Sequence, residues 1–162
     1  MKEKKIILRS PTPEDSSAVA QIIGSLASHI DPDITPVTTA ETINRYGPDG
    51  LGHFDGVIAE QAGQVIGLCL FSIRFSGWRG ASGVFVSDLY VDTSVRTGGL
   101  GRRLLHETAK KGLSKNCSFL QLDVDIDNEN AIDFYVHLGL HIHKNDIQMF
   151  MEEPIFIKFA TT

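Results

Sequence analysis

The segment that decides the fold reads VDTSVRTGGLGRRLL and runs from residue 91 to residue 105. It follows an aliphatic stretch, residues 83–91, that has the β-branched and aromatic composition of a strand. Three glycines then stand within four positions, and Leu100, Leu104 and Leu105 follow at the spacing of one helix face. The pattern predicts a strand that runs through a tight turn into a helix.

A turn of this kind is suited to binding an anion. The first backbone N–H groups of a helix have no partner inside the helix, and the helix dipole adds positive potential at that end. Glycine lets the backbone approach a phosphate without a Cβ atom in the way. Arg96, Arg102 and Arg103 add guanidinium groups that can pair with phosphate oxygens. The alternative interpretation is a tight connection with a solvated arginine face.

Two widespread phosphate-binding motifs do not match this turn. The P-loop requires the triplet Gly-Lys-Ser/Thr, which the chain does not contain. The dinucleotide fingerprint expects the glycine turn after the first strand of the fold, whereas this turn stands in mid-chain, after several predicted strands.

The rest of the chain alternates between strand and helix patterns. A crossover from the 83–91 strand through the 98–113 helix to the 119–126 strand makes those two strands parallel neighbours. The sequence therefore predicts one α+β domain over residues 1–162, with a mixed, mostly antiparallel sheet of about seven strands and helices on both faces. The predicted strands are residues 6–8, 57–59, 65–75, 83–91, 119–126, 140–151 and 154–160. Helices are predicted to begin near residues 13, 40, 98 and 128, and the last of them is predicted to end at Gly139.

Composition narrows the class of function. A net charge of −5 and a pI near 5.6 argue against nucleic acid or an acidic membrane as a partner. Cys69 and Cys117 fit neither a disulfide framework nor a zinc spacing. Neither a signal peptide nor a membrane span is found, so we expect a cytoplasmic protein.

Three alternating acids, Asp123, Asp125 and Asp127, resemble the first half of a calcium loop. The sixth position is Asn128 instead of glycine and the twelfth is Phe134 instead of glutamate, so the loop pattern fails. The apolar residues between the acids are typical of a two-faced strand. We expect no bound metal.

The glycine turn resembles the acyl-CoA motif of the GNAT superfamily, Arg/Gln-x-x-Gly-x-Gly/Ala after a strand that ends in aliphatic residues. The resemblance implies a three-layer GNAT-like fold and acetyl-CoA as co-substrate. It implies that the backbone of Leu89, Tyr90 and Val91 pairs with the pantetheine arm, and that the Val91 amide stabilises the oxyanion of a tetrahedral intermediate. It assigns the pyrophosphate to the motif arginine, Arg96, and to the amides of Thr97, Gly98, Gly99, Leu100, Gly101 and Arg102.

A second segment, NENAIDFYVHLGL at residues 128–140, resembles the other GNAT signature, Asn-x-x-Ala-x-x-Phe/Leu-Tyr-x-x-x-Gly-Phe. Leu140 replaces the usual phenylalanine and keeps an apolar anchor. The resemblance implies that Asn128 and Ala131 lie at the pantetheine arm and that Tyr135 protonates the departing thiolate as general acid. The alternatives are a helix N-cap for Asn128 and a core aromatic for Tyr135.

Asp88 is the candidate general base. An alkylamine is about 0.1% or less unprotonated at pH 7, so acetyl transfer to it requires a route for its proton. We expect Asp88 to share a face of the strand with Val86 and Tyr90, three residues before Val91. The alternative is an aspartate paired to a structural cation or amide.

Trp78 and Ser87 bear on the acceptor. The stretch from Trp78 to Val91 resembles the diamine and thialysine acetyltransferase branch, which has a tryptophan-containing turn and then Glu-Asp. Ser87 stands where that branch has glutamate, so one of two acids expected at a cationic substrate is missing. Trp78 is a candidate wall of an amine pocket through cation–π contact, or else a packed turn aromatic.

The predicted function is acetyl-CoA-dependent N-acetylation of a primary amine by direct attack in a ternary complex. A small polyamine, diamine or amino-acid-like amine is the first acceptor class, ahead of an antibiotic and of a protein amine. The rival hypothesis is an acyl-CoA-binding sensor or interaction module without turnover. A homodimer is consistent with the family.

Overall fold

The computed structural model describes residues 5–30, 33, 35–144 and 148–161, without the side chains of His29, Arg96 and Thr97. The chain forms two compact units, Met1–Asp123 and Val124–Thr162. That they act as a single domain over residues 1–162 stays a prediction.

The first unit contains the sheet and the helix that follows the glycine turn. Short 3₁₀ turns at Pro13–Asp15 and Thr93–Gly98 lead into two of its helices. Its elements, in chain order, are β1 (Ile6–Arg9), α1 (Ser16–Ile30), α2 (Ala40–Tyr46), β2 (Asp55–Gln61), β3 (Gln64–Ser76), β4 (Ala81–Val91), α3 (Leu100–Ser114) and β5 (Cys117–Leu122).

The five strands form one sheet in the order β1-β2-β3-β4-β5. The first three pairs are antiparallel, and β4 and β5 are parallel. The predicted crossover through α3 is therefore confirmed, as is a mixed, mostly antiparallel sheet. The sheet of the described residues has five strands instead of about seven.

Helices cover both faces of this sheet. Val19 and Ile22 of α1 form a buried cluster with Ile58, Leu68 and Leu70. On the other face, a Cβ atom placed on Gly67 would lie 3.1 Å from the Leu104 side chain of α3. Because Gly67 and Leu68 are consecutive in β3, their side-chain directions are opposite, and α1 and α3 lie on opposite faces.

The position of α3 depends on a buried stripe and one ion pair. Leu100 and Leu104 are buried, and Gly112 is so close to Val84 of β4 that a Cβ atom there would collide with it. Lys111 donates hydrogen bonds to Asp55 Oδ1 (2.8 Å) and to the Gly56 carbonyl oxygen (2.9 Å) at the start of β2. These contacts hold the helix, and with it the glycine turn, against the sheet.

A β-bulge interrupts β4 at Ser87. Asp88 pairs with Leu70 and Val86 pairs with Phe71, so Ser87 is the extra residue on the β4 side. Leu70 and Phe71 are consecutive and face opposite sides of the sheet. The prediction that Asp88 shares a face with Val86 is therefore wrong, because the bulge inserts one residue into the alternation. Asp88 does share a face with Tyr90, which packs against the α1-side cluster.

The second unit contains two helices, α4 (Glu129–His137) and α5 (Ile155–Ala160). The predicted strand at residues 154–160 is wrong, because a short apolar run has no decisive period. Here it forms a helix that begins at Ile155, with Pro154 as the N-cap residue. Residues 140–144 and 148–151 form no strand either, and residues 145–147 lie outside the described part. A strand needs a hydrogen-bonded neighbour, which an alternating sequence does not supply. None of the described helices is long and apolar enough to span a membrane.

Candidate active site

The turn before α3 has a conformation that requires glycine. Asp92 Oδ1 accepts hydrogen bonds from the Ser94 N–H (2.9 Å) and the Ser94 hydroxyl (2.7 Å), and so caps the 3₁₀ turn. The chain then passes through Gly99, whose φ of 67° lies in the left-handed region. Only glycine adopts this conformation at low cost, so Gly99 allows the 3₁₀ turn to continue into α3.

The start of α3 fits a phosphate group. Its cap residue, Gly99, has no side chain that could accept from the first helical N–H groups, and the first turn contains no acid. A Cβ atom placed on Gly98 or Gly99 would meet nothing within 4 Å, so this side of the turn is open. An uncapped helix start with an open approach has both the donors and the space that a pyrophosphate needs.

Positive charge is concentrated beside this helix start. Arg102 and Arg103 are exposed and line an open cavity with His106, Glu107 and Leu8 of β1. Arg102 and Arg103 are two of the arginines predicted to pair with phosphate, whereas His106 was not predicted. The i, i+3 spacing of Arg103 and His106 places both on one side of the helix. The side chains of Arg96 and Thr97 are outside the described part of the structure, so the predicted role of the Arg96 guanidinium stays a prediction. The backbone of both residues belongs to the 3₁₀ turn.

The end of β4 extends past its parallel neighbour. The last pair between β4 and β5 joins Val86 to Leu122, whereas β4 continues for five residues to Val91. Over that extension β4 is paired with β3, where Leu89 lies opposite Cys69 and Val91 opposite Gly67. Within the first unit, the predicted pantetheine-binding backbone thus lies beyond the end of β5, where β4 is paired with β3.

Asp88 is a half-buried carboxyl group on this extension. Burial raises its pKa, and a hydrogen bond from Ser87 partly offsets that rise. Burial disfavours the ionised form, so the carboxylate binds a proton more readily than an exposed aspartate does. Asp88 is therefore suited to accepting a proton, and it faces the α1 side of the sheet beside Leu70.

The two other predicted acceptor-site residues are exposed. The Ser87 hydroxyl at the bulge lies 3.3 Å from the Leu70 carbonyl oxygen. Trp78 lies in the β3–β4 turn with 79% of its surface exposed, which excludes a packed turn aromatic. The guanidinium of Arg79 lies 4.3 Å from the centroid of the Trp78 ring.

The second motif segment, residues 128–140, contains α4. Asn128 is the N-cap of the helix, and its Oδ1 accepts a hydrogen bond from the Ala131 N–H (3.1 Å). The helix ends before Gly139, whose φ of 99° requires glycine, as the sequence predicts. Tyr135 is half-buried and its ring lies 5.2 Å from that of Phe134. The N-cap interpretation of Asn128 is thereby confirmed.

The predicted site residues fall into two groups. Asp88, Leu89, Tyr90, Val91 and the turn at residues 96–102 are brought together in the first unit, around the end of β4 and the start of α3. Asn128, Ala131 and Tyr135 belong to the second unit.

Comparison with known proteins agrees with this architecture. The model of the acetyltransferase (GNAT) family matches residues 20–140. The thialysine N-epsilon-acetyltransferase of Bos taurus is 35% identical over 75 residues, which cover 46% of this chain and 44% of that protein. The glucosamine 6-phosphate N-acetyltransferase of Trypanosoma brucei brucei is 29% identical over 91 residues, 56% of this chain and 60% of that protein. The chain thus spans about half the length of the curated relatives it matches.

Solved structures share the fold. An integron cassette protein from the mobile metagenome of V. cholerae superimposes with a TM-score of 0.79 at 18% identity, covering 99% of this chain and 100% of that one. The family match spans the β4–α3 turn, Asp88 and the start of α4. The chain belongs to the acetyltransferase (GNAT) family.

Proposed function

We propose that the protein transfers the acetyl group of acetyl-CoA to a primary amine, by direct attack in a ternary complex. The observation that carries the proposal is the uncapped start of α3, reached from a strand extension on which the half-buried carboxyl group of Asp88 has a raised pKa. The start of α3 offers N–H donors for a phosphate anion, and the Asp88 carboxyl group can accept a proton. Such a combination is what amine acylation by a phosphate-bearing thioester needs.

The coenzyme site in this proposal is the segment from Leu89 to Arg102. Acetyl-CoA supplies an acetyl group activated as a thioester. The amides from Thr97 to Arg102, at the end of the 3₁₀ turn and the start of α3, bind the pyrophosphate with the help of the helix dipole. The extended backbone of Leu89, Tyr90 and Val91 aligns the pantetheine arm, and the Val91 amide stabilises the oxyanion at the thioester carbonyl.

Asp88 takes the proton of the acceptor amine, directly or through a water molecule. The raised pKa makes Asp88 a better base than an exposed aspartate, and the amine must lose its proton to attack. Tyr135 gives a proton to the departing thiolate, as the family resemblance implies. Asn128 and Ala131 bind the pantetheine arm on the same basis.

A covalent route through cysteine is disfavoured. Cys69 is fully buried, and burial raises the pKa of its thiol to about 11. The thiolate is the nucleophilic form, so a thiol with this pKa is almost entirely protonated at neutral pH. Cys117 is also buried. Direct attack by the amine needs neither thiol.

The acceptor is proposed to be a small amine. Two similar proteins are named for thialysine and for glucosamine 6-phosphate, both compact amines, which supports a small-molecule acceptor over a protein amine. Aminoglycoside acetyltransferases share the fold at 16% identity, so an antibiotic remains the next class. A cytoplasmic location and a homodimer complete the proposal, and cell fractionation and light scattering would measure them.

The test is thiol release from acetyl-CoA with a panel of polyamines, amino acids, aminosugars, aminoglycosides and peptides. Asp88→Asn and Tyr135→Phe should each lower kcat by about 10²- to 10⁴-fold without weakening coenzyme binding. Glu41→Gln, an exposed carboxyl-to-amide change on α2, is the matched control and should leave turnover unchanged.

The stability of Asp88→Asn separates catalysis from misfolding. A carboxyl group whose pKa is raised by folding opposes folding at pH values above that raised pKa, and the opposition disappears in acid below the unfolded value. Asp88→Asn should therefore be at least as stable as the parent at pH 7. Coenzyme binding without turnover on any amine would contradict the enzyme and favour the sensor.

A further inference from the structure

Two arginines of the β3–β4 hairpin lie over aromatic rings. The Arg74 guanidinium carbon lies 3.4 Å from the centroid of the Phe85 ring. The Arg79 guanidinium carbon lies 4.3 Å from the centroid of Trp78 and 5.0 Å from that of Phe119. A cation–π contact holds each guanidinium near its ring and does not use its N–H groups as hydrogen-bond donors.

Register places both arginines in one patch. Arg74 lies opposite Gly83, and Gly83 lies beside Phe119 of β5. A Cβ atom on Gly83 would collide with the Phe119 ring, so that ring covers β4 at this point. Arg74 therefore lies on one side of the Phe119 ring, and Arg79 lies over it.

The patch shares a face of the sheet with Asp88. Arg74 lies four residues after Leu70 on a regular part of β3, so both side chains lie on the same face of the sheet. Asp88 lies on that face too, because it pairs with Leu70. Arg74 reaches over Phe85, whose partner Ser72 stands only two residues from Leu70. At about 3.3 Å per residue, the ring beneath Arg74 lies roughly 7 Å along the sheet from the Leu70–Asp88 pair.

Neither guanidinium is neutralised by the chain. In the part of the chain that the structure describes, every ion pair involves residues other than Arg74 and Arg79. Both residues are exposed, so their N–H groups are open to a ligand. Two fixed, unpaired guanidiniums are suited to a carboxylate or a phosphate.

We propose that the acceptor carries an oxyanion as well as its primary amine, and that Arg74 and Arg79 bind this oxyanion while the amine lies at Asp88. The inference rests on the proposed function and deepens it. The Phe85 ring beneath Arg74 lies about 7 Å along the strand from the Leu70–Asp88 pair. This distance fits an amino acid that carries its amine on the side chain, or an aminosugar phosphate. A polyamine would instead bring a second ammonium group toward two guanidiniums, and the Trp78 ring already faces a cation.

The test compares amines that differ only at the anionic end. L-lysine is measured against L-lysinamide, and glucosamine 6-phosphate against glucosamine, by acetyl-CoA turnover with product identification. In at least one pair, we expect the member that carries the carboxylate or phosphate to have a kcat/KM about tenfold or more above that of the member that lacks it. The pair that shows the preference identifies carboxylate or phosphate as the ligand chemistry.

Variants assign that preference to the two arginines. Arg74→Gln and Arg79→Gln should each raise KM about tenfold for the acceptor that carries the oxyanion. Both should leave kcat/KM nearly unchanged for the amine that lacks it. Lys110→Gln, which removes an exposed cation from α3, should change neither. Melting temperatures near that of the parent would show that the hairpin variants fold.

The two proposals fail in different ways. Equal kcat/KM within both pairs would overturn the oxyanion site while acetyl transfer stands. An equal loss of kcat/KM in the arginine variants on amines with and without the oxyanion would do the same. Coenzyme binding without turnover on any amine would overturn the acetyltransferase and the acceptor inference with it.

Discussion

The helices α1 and α3 each begin after a strand of the same sheet. They differ in whether a side chain accepts hydrogen bonds from the backbone N–H groups that precede the helix. Before α1, the buried carboxylate of Asp15 accepts hydrogen bonds from the Thr12 N–H (2.7 Å) and from both terminal nitrogens of Arg9 (2.6 and 2.9 Å). At α3, the cap is Gly99, and the first turn contains arginines but no acid. One helix start is closed by the protein itself, and the other is open.

The difference distinguishes a helix start that only stabilises the fold from one that can bind a ligand. Unpaired N–H groups at a helix start are stabilised by any nearby anion, and a side chain is the usual source. The start of α4 follows the pattern of α1, because Asn128 supplies the acceptor. An open start at α3 leaves its donors for an anion from outside the chain, which is the physical basis of the proposed coenzyme site.

The largest expected effect comes from opening the closed start with Asp15→Asn. Arg9 holds the pKa of Asp15 at about 2, against an ordinary value of 3.8. A shift of this size corresponds to about 2 kcal/mol of stability at neutral pH, which the variant should lose. Urea unfolding at pH 7 measures the loss.

The pH dependence of the same variant tests the cause. A depressed carboxyl pKa stabilises the fold above the unfolded value, and the contribution disappears as pH falls from about 4 through about 2. The difference between parent and variant should be constant from pH 5 to 7 and shrink toward pH 2. A difference independent of pH over that whole range would contradict the ion pair as its source.

A smaller effect is expected from closing the open start with Gly98→Asp. The position is sterically free and directly precedes Gly99, the cap residue of α3. An aspartate there adds negative charge beside the positive end of the helix dipole, which stabilises the helix and repels a pyrophosphate. Coenzyme A affinity should fall about tenfold or more, with an unchanged or higher melting temperature. Calorimetric titration and thermal unfolding measure the two.

Gly98→Asn is the matched control for that charge. Asparagine has nearly the same shape as aspartate but carries no negative charge. If Asp and Asn weakened coenzyme binding equally, the loss would be steric, and the electrostatic account of the open start would be wrong.

The smallest effect is expected at α4, where Asn128→Ala removes the cap. Loss of a side-chain N-cap costs about 1 kcal/mol of helix stability. Hydrogen exchange should quicken in α4 and stay unchanged in α3, because the cap bond to the Ala131 N–H is local. Unchanged exchange in α4 would show that another contact stabilises this helix.

Local signals account for the parts of the fold that were predicted correctly. The leucine spacing and glycine turn predict α3, and Asn128 and Gly139 predict both ends of α4. The parallel β4–β5 pair follows from the crossover rule. The predicted strand at residues 154–160 failed, because a short apolar run is equally compatible with helix α5.

The candidate site was predicted residue by residue but not in its geometry. The pattern indicated Asp88, yet the bulge at Ser87 decides which face Asp88 occupies. Arg74, Arg79 and Phe119 carried no signal in the sequence, because they are separated along the chain and meet only through strand register.

The sequence alone determined the order of the elements around the β4–α3 turn, the glycine that the left-handed cap requires and the residue types of an acetyltransferase site. Those features depend on neighbours within a few positions, where spacing and backbone preference act. Only the tertiary structure decided the facing of Asp88 and the stacking of two arginines on rings from other strands. Both depend on how strands pair, and pairing depends on residues far apart in the chain.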